Sequence, residues 1–210
     1  MAFSSLKSLG MGQEALNGGS PGILMPKLKY RFRVLFTGFG VDTTTELTKQ
    51  VMTCGRPGVT FENVELSIYN SKVNYAGRYK WDDVQIVLRD DANNTVSKLV
   101  GQQIQKQFDF FEQSSAATGG DYKFQTQIDI LDGGNGSQHA PSVLESFVMY
   151  GCYLQHTQYQ QGDYKTSDPM DITLTLKYDN ALQTDASGSG YVGIGLGTNG
   201  TGGQGFSVGR

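Results

Sequence analysis

Charge is scarce in this chain. Asp, Glu, Lys and Arg make up 18% of its 210 residues, where about 25% is usual for soluble domains. Its surface must therefore be polar through Gln, Ser, Thr and Asn. A formal net charge of −3 excludes a protein built to grip phosphate backbones, because that binding rests on clustered Lys and Arg. Cysteine is nearly absent as well. Cys54 and Cys152 are too few for a disulfide-stapled scaffold and read as buried free thiols. No apolar run approaches the roughly 18 residues of a membrane-spanning helix. Met1 to Gly12 lacks a basic stretch followed by an apolar one, so folding in the cytoplasm without a classical export signal is expected.

Recognisable chemistry is also missing. His139 and His156 have no second His or Cys at metal-ligand spacing. There is no Gly-x-Ser-x-Gly elbow, phosphate-binding loop or His-Glu-x-x-His helix. Gly193, Gly195 and Gly197 are not framed by a βαβ unit, and Asp132 to Gly136 lacks the spaced carboxylates of a calcium loop. Asp82 and Asp83 are adjacent on a strand and point to opposite faces. Catalytic, cofactor-binding and metal-binding residues are therefore expected to be none.

Glycine is plentiful, at 28 residues. Up to Pro26 a short helical candidate, Phe3 to Leu9, gives way to loop signals, which reads as an N-terminal arm over residues 1–26. From Lys29 to Thr37, Tyr30, Phe32, Val34 and Phe36 alternate with Lys29, Arg31 and Arg33, the period of a half-buried strand. Leu47 to Cys54 is a second strand candidate. Val59 to Tyr69 changes apolar face midway, which predicts a bulge near Glu62 and Asn63. Asn70 to Lys80 is polar, too long for a tight turn, and reads as a projecting hairpin or loop; Trp81 to Arg89 is again a strand. Asp90, Asp91, Asn93 and Asn94 are N-cap candidates. The stripe Val96, Leu99, Val100, Ile104, Phe108 and Phe111 then predicts a helix of about 18 residues packed on a sheet. Strands follow at Tyr122 to Leu131, Val143 to His156 and Met170 to Tyr178. The order β-β-β-β-α-β-β-β predicts a mainly β fold of two packed antiparallel sheets, a sandwich or barrel, with one flanking helix. Residues 27–182 form the expected domain and 183–210 a Gly-rich C-terminal extension. Such an extension reads first as a flexible tail; here both ends are expected to be held by neighbouring copies, with Tyr191, Val192, Ile194, Leu196, Phe206 and Val208 as anchors.

The run Ala76-Gly77-Arg78-Tyr79-Lys80-Trp81-Asp82-Asp83-Val84-Gln85-Ile86-Val87-Leu88-Arg89-Asp90-Asp91, followed directly by a helix, resembles the central signature of contractile phage tail tube proteins. Pro26 to Thr37 looks like that family's first strand, Cys54 to Gly58 like its following turn, and Ile172 to Asp179 like its closing strand. The similarity spans roughly Pro26 to Leu182. It implies hexameric rings stacked into a tube inside a sheath, holding a tape-measure protein and then transient DNA, in a virion tail assembled in the host cytoplasm. Within that frame Asn70, Lys72, Val73, Asn74, Tyr75, Gly77 and Arg78 are expected to contact the next ring. Trp81 would anchor the base of the projection, with simple core packing as the alternative. Glu62, Glu65, Gln125, Gln127 and Asp129 are candidates for an acidic lumen wall. A secretion-system tube or baseplate tube-initiator would share the fold. A carbohydrate-binding β-sandwich is the rival of another class, hinted at by Tyr150, Tyr153, Tyr159 and Tyr164.

Overall fold

The computed structural model describes residues 26–41, 45–133, 141–185 and 190–192. Residues up to Arg31 and those from Phe32 onward form separate units. In the first, Arg31 N donates to Leu28 O at 3.2 Å and the Arg31 guanidinium stands 5.5 Å from the Tyr30 ring. The strand expected from Lys29 therefore begins later, at Phe32, and Tyr30 is exposed rather than facing the core.

The second unit runs β1 (Phe32–Thr37), a helical turn α1 (Thr45–Lys49), β2 (Val51–Cys54), β3 (Val59–Ile68), β4 (Ser71–Trp81), β5 (Val84–Arg89) and helix α2 (Thr95–Gln107). It continues with the short strands β6 (Phe108–Asp109) and β7 (Ser114–Ser115), a turn α3 (Gly119–Tyr122), β8 (Phe124–Leu131), β9 (Val143–Tyr159), β10 (Asp171–Lys177), β11 (Asn180–Asp185) and β12 (Gly190–Val192). The fold is mainly β and its sheets are antiparallel, as the sequence predicts.

β9 organises the fold. Its first half, as far as Cys152, lies between β8 and β11; its second half pairs with β10, which continues through β5 to β2. Gly151, at φ +67°, sits where the pairing changes. Both halves contribute to one core. Val34, Phe36, Ile128 and Met149 come from one, Ile86, Leu88, Leu154 and Leu174 from the other, and Val96, Leu99 and Val100 of α2 close it. The alternating burial of β5 and β10 follows their alternating apolar residues.

Several expected boundaries move. Leu47 to Cys54 divides into α1 and β2. The helix is 13 residues long, not 18, because Phe108 takes an extended conformation, φ −152° and ψ 125°. Ile104 packs on the core, but Phe111 is almost fully exposed. Of the cap candidates, Asp91 does the capping: its Oδ1 accepts from Val96 N at 3.0 Å, and this bond holds its carboxyl below the usual range. β11 and β12 were not anticipated, and β11 crosses the boundary expected at 182–183. Cys152 is a buried free thiol, whereas Cys54 is only half-buried.

A side chain terminates one pairing. Beyond Cys152 the β8 side of β9 is vacated, and the Gln107 amide takes it over, accepting from Leu154 N at 2.8 Å and donating to Leu154 O at 3.0 Å. α2 is thereby pinned to β9 at the position where β8 stops.

Candidate assembly surfaces

β3 and β4 form a hairpin that pairs with no other strand among the described residues. Asn70 to Lys80 is thus a strand and not a long connection; the turn is the two residues Tyr69 and Asn70. The register shifts between Phe61 and Asn63, where the bulge was expected, and the extra residue is on β4, with Gly77 and Arg78 opposite Glu62. A Cβ on Gly77 would come 3.0 Å from Val64 Cγ2 and 3.1 Å from Glu62 O, so the bulge favours glycine.

Beyond the bulge the hairpin is amphipathic. Val64 pairs with Tyr75, Leu66 with Val73 and Ile68 with Ser71, which puts these apolar residues on one face. Asn63, Glu65, Ser67, Lys72 and Asn74 occupy the other, joined by a Lys72–Glu65 ion pair and an Asn63–Asn74 hydrogen bond of 3.2 Å. Among the described residues nothing covers the apolar face: Val64, Leu66, Ile68 and Tyr75 are 46%, 49%, 54% and 53% exposed. Tyr69 at the tip is fully exposed and at φ 53°, a conformation tyrosine rarely adopts.

Trp81 closes the base. It packs against the core, 5.7 Å from the Tyr178 ring and 5.9 Å from Tyr79. Burial, with Asp82 nearby, pushes the Tyr178 hydroxyl up to about 12.

Lys72, Val73, Asn74, Tyr75, Gly77 and Arg78 all lie on β4, with Asn70 in the turn, but the two faces separate Val73 and Tyr75 from Lys72 and Asn74. The five wall candidates do not form one set. Glu62 and Glu65 belong to the hairpin, while Gln125, Gln127 and Asp129 share one face of β8. Asp129 is fully buried, bonded to Arg33 at 2.7 Å, Gln127 at 2.8 Å and Ser146 at 2.8 Å. Burial works to raise its pKa, but those bonds outweigh it and hold the carboxyl below its usual range. Of the tail anchors, Tyr191 and Val192 lie in β12; Ile194, Leu196, Phe206 and Val208 fall outside the described residues, as does the arm before Pro26.

Two other features are open to a partner. β1 pairs with β8 alone and β2 with β5 alone among the described residues, so each has a strand neighbour on one side only. After α2, Asp109 Oδ1 accepts from Phe111 N at 2.9 Å and holds a turn in which Phe110 and Phe111 are exposed. The sequence gives no sign of this knuckle, since Phe111 continues the helical stripe.

No group of three or more His, Cys, Asp or Glu side chains placed to hold a metal ion occurs among the described residues. The four tyrosines make no single sugar platform. Tyr150 and Tyr159 are separated by roughly 30 Å of strand at about 3.3 Å per residue, and Tyr153 packs against Tyr122.

No protein-family model matches the chain, and no curated protein is similar to it. Solved structures are similar in fold. A chain of the anti-feeding prophage tube-terminating cap superposes with TM-score 0.58 at 11% identity, over 81% of this chain and 99% of the other. A chain of the anti-feeding prophage baseplate gives 0.55 at 12%, over 78% and 99%. One from the sheath–tube complex of an extracellular contractile injection system gives 0.54 at 12%, over 78% and 94%. The chain therefore shares its fold with these chains of contractile injection systems. About a fifth of its length has no counterpart in these relatives.

Proposed function

We propose that this chain is the structural subunit of a phage tail tube, closing into hexameric rings that stack around a lumen through which DNA passes. The apolar hairpin face carries this reading: no described residue of the subunit packs on it, and a polymer offers surfaces to cover it. The one-sided strands β1 and β2 support it too, because joining neighbouring sheets into a closed barrel removes edges. In this arrangement Asn70 of the turn and the β4 residues Lys72, Val73, Asn74, Tyr75, Gly77 and Arg78 meet the next ring, Trp81 fixes the angle of the hairpin, and Gln125 and Gln127 are candidates for the lumen wall. A net charge of −3 suits a lumen along which DNA slides without sticking. Sheath outside, tape-measure protein inside and a place in the virion tail complete the proposal. Deleting Val73 to Gly77 tests it. Rings that no longer stack are expected by electron microscopy; full-length tubes from the deleted chain would contradict the role given to the hairpin.

A further inference from the structure

The apolar hairpin face poses a problem before any polymer exists. A newly made subunit would expose Val64, Leu66, Ile68, Val73 and Tyr75 together on a strand pair, the arrangement most prone to edge-to-edge aggregation. The chain itself leads toward an answer. β12 runs antiparallel to β11, with Val192 opposite Gln183 and Gly190 opposite Thr184, so the chain leaving Val192 heads back toward Asn180. Asn180 follows Tyr178 by two residues, and the Tyr178 ring stands against Trp81 at the hairpin base. The last described residue therefore points its continuation at the root of the hairpin.

That continuation has the reach and the chemistry. Eighteen residues follow Val192, a span of up to about 60 Å if extended. The hairpin arm, ten residues along β3, is about 33 Å long. Ile194, Leu196, Phe206 and Val208 are its apolar side chains, Arg210 is its single charged side chain, and its glycines allow close backbone approach.

We propose that residues 193–210 cover the apolar face of the hairpin in their own copy while the subunit is unassembled, and leave it when a neighbouring copy takes their place. The tail is then a built-in guard against premature association, a role separate from the tube reading.

Cysteine labelling tests this. Cys152 is buried, and Cys54, which is only half-buried, is replaced by Ala throughout, so background labelling is low. Leu66→Cys, on the apolar face, and Glu65→Cys, on the polar face, are labelled with a maleimide at a dilution where sizing shows only monomer. Each is made in the full chain and in a chain ending at Val192. Protection of about tenfold or more at Leu66→Cys in the full chain, lost on truncation while Glu65→Cys is unchanged, is the expected result. Equal rates at Leu66→Cys in both lengths overturn the proposal. So does protection that appears only at concentrations where copies associate, which would make a second copy the cover. Phe206→Asp with Val208→Asp in the full chain must also abolish the protection, which keeps the test valid if the truncated chain folds poorly. Whether the wild-type chain forms tubes is read separately, so the two ideas fail independently.

Discussion

Gly151 is the residue on which the two halves of the fold turn. Its φ of +67° suits glycine, and a Cβ there would collide with Asp179 Oδ2. Asp179 is itself fixed, its N donating to Tyr150 O at 3.0 Å and its carboxylate paired with Lys123 at 2.6 Å. Gly151→Ala should therefore cost about 2–3 kcal/mol in urea unfolding. Combining it with Asp179→Ala should cost less than the two single losses added, because the clash is shared. Additive losses would show that the backbone angle alone is responsible. Asp129 makes a pH prediction. Its carboxyl titrates lower in the folded chain than the roughly 3.9 of an unfolded one, so its stabilisation is present above that value and lost as pH falls through the folded one. Wild type should lose stability below about pH 4 more steeply than Asp129→Asn, and parallel acid unfolding curves would contradict the network.

At the scale of elements, one amide decides where two strands part. Replacing Gln107 with Ala leaves Leu154 N and O without their partner and should cost about 1–3 kcal/mol, with faster hydrogen exchange at the Leu154 amide as the local sign. In the hairpin the expectation is reversed. Leu66→Asp, on a face that no described residue covers, should change the stability of the free subunit by less than about 1 kcal/mol yet stop assembly, as sizing and microscopy together would report.

These elements also mark what could be read in advance. β5 and β10 were legible because one face meets the core and the other does not, which stamps period two on their sequences. The bulge was legible for a related reason, since apolar residues switch register at Glu62 and Asn63. β4 was not, because no described strand packs on either face of the hairpin and no core imposes a pattern on it. The end of α2 was hidden because Phe108 and Phe111 keep the helical spacing while leaving the helix. Asn180 to Asp185 carries little apolar alternation, so β11 shows only through its pairing with β9. The wall set Glu62, Glu65, Gln125, Gln127 and Asp129 mixed two sheets, because polarity alone does not report which strands lie side by side.

For the whole molecule, fold and surface point the same way. A fold shared with contractile injection system chains, strands paired on one side only and an apolar arm that no described residue covers are together what the proposed subunit of a tube requires. The direct measurement is electron microscopy of the purified full chain, with sizing chromatography beside it. Stacked six-fold rings or hollow tubes, with the hairpin apolar face buried between copies, are the predicted result. A monodisperse monomer at every concentration and salt tried would contradict the claim that this chain builds a tube.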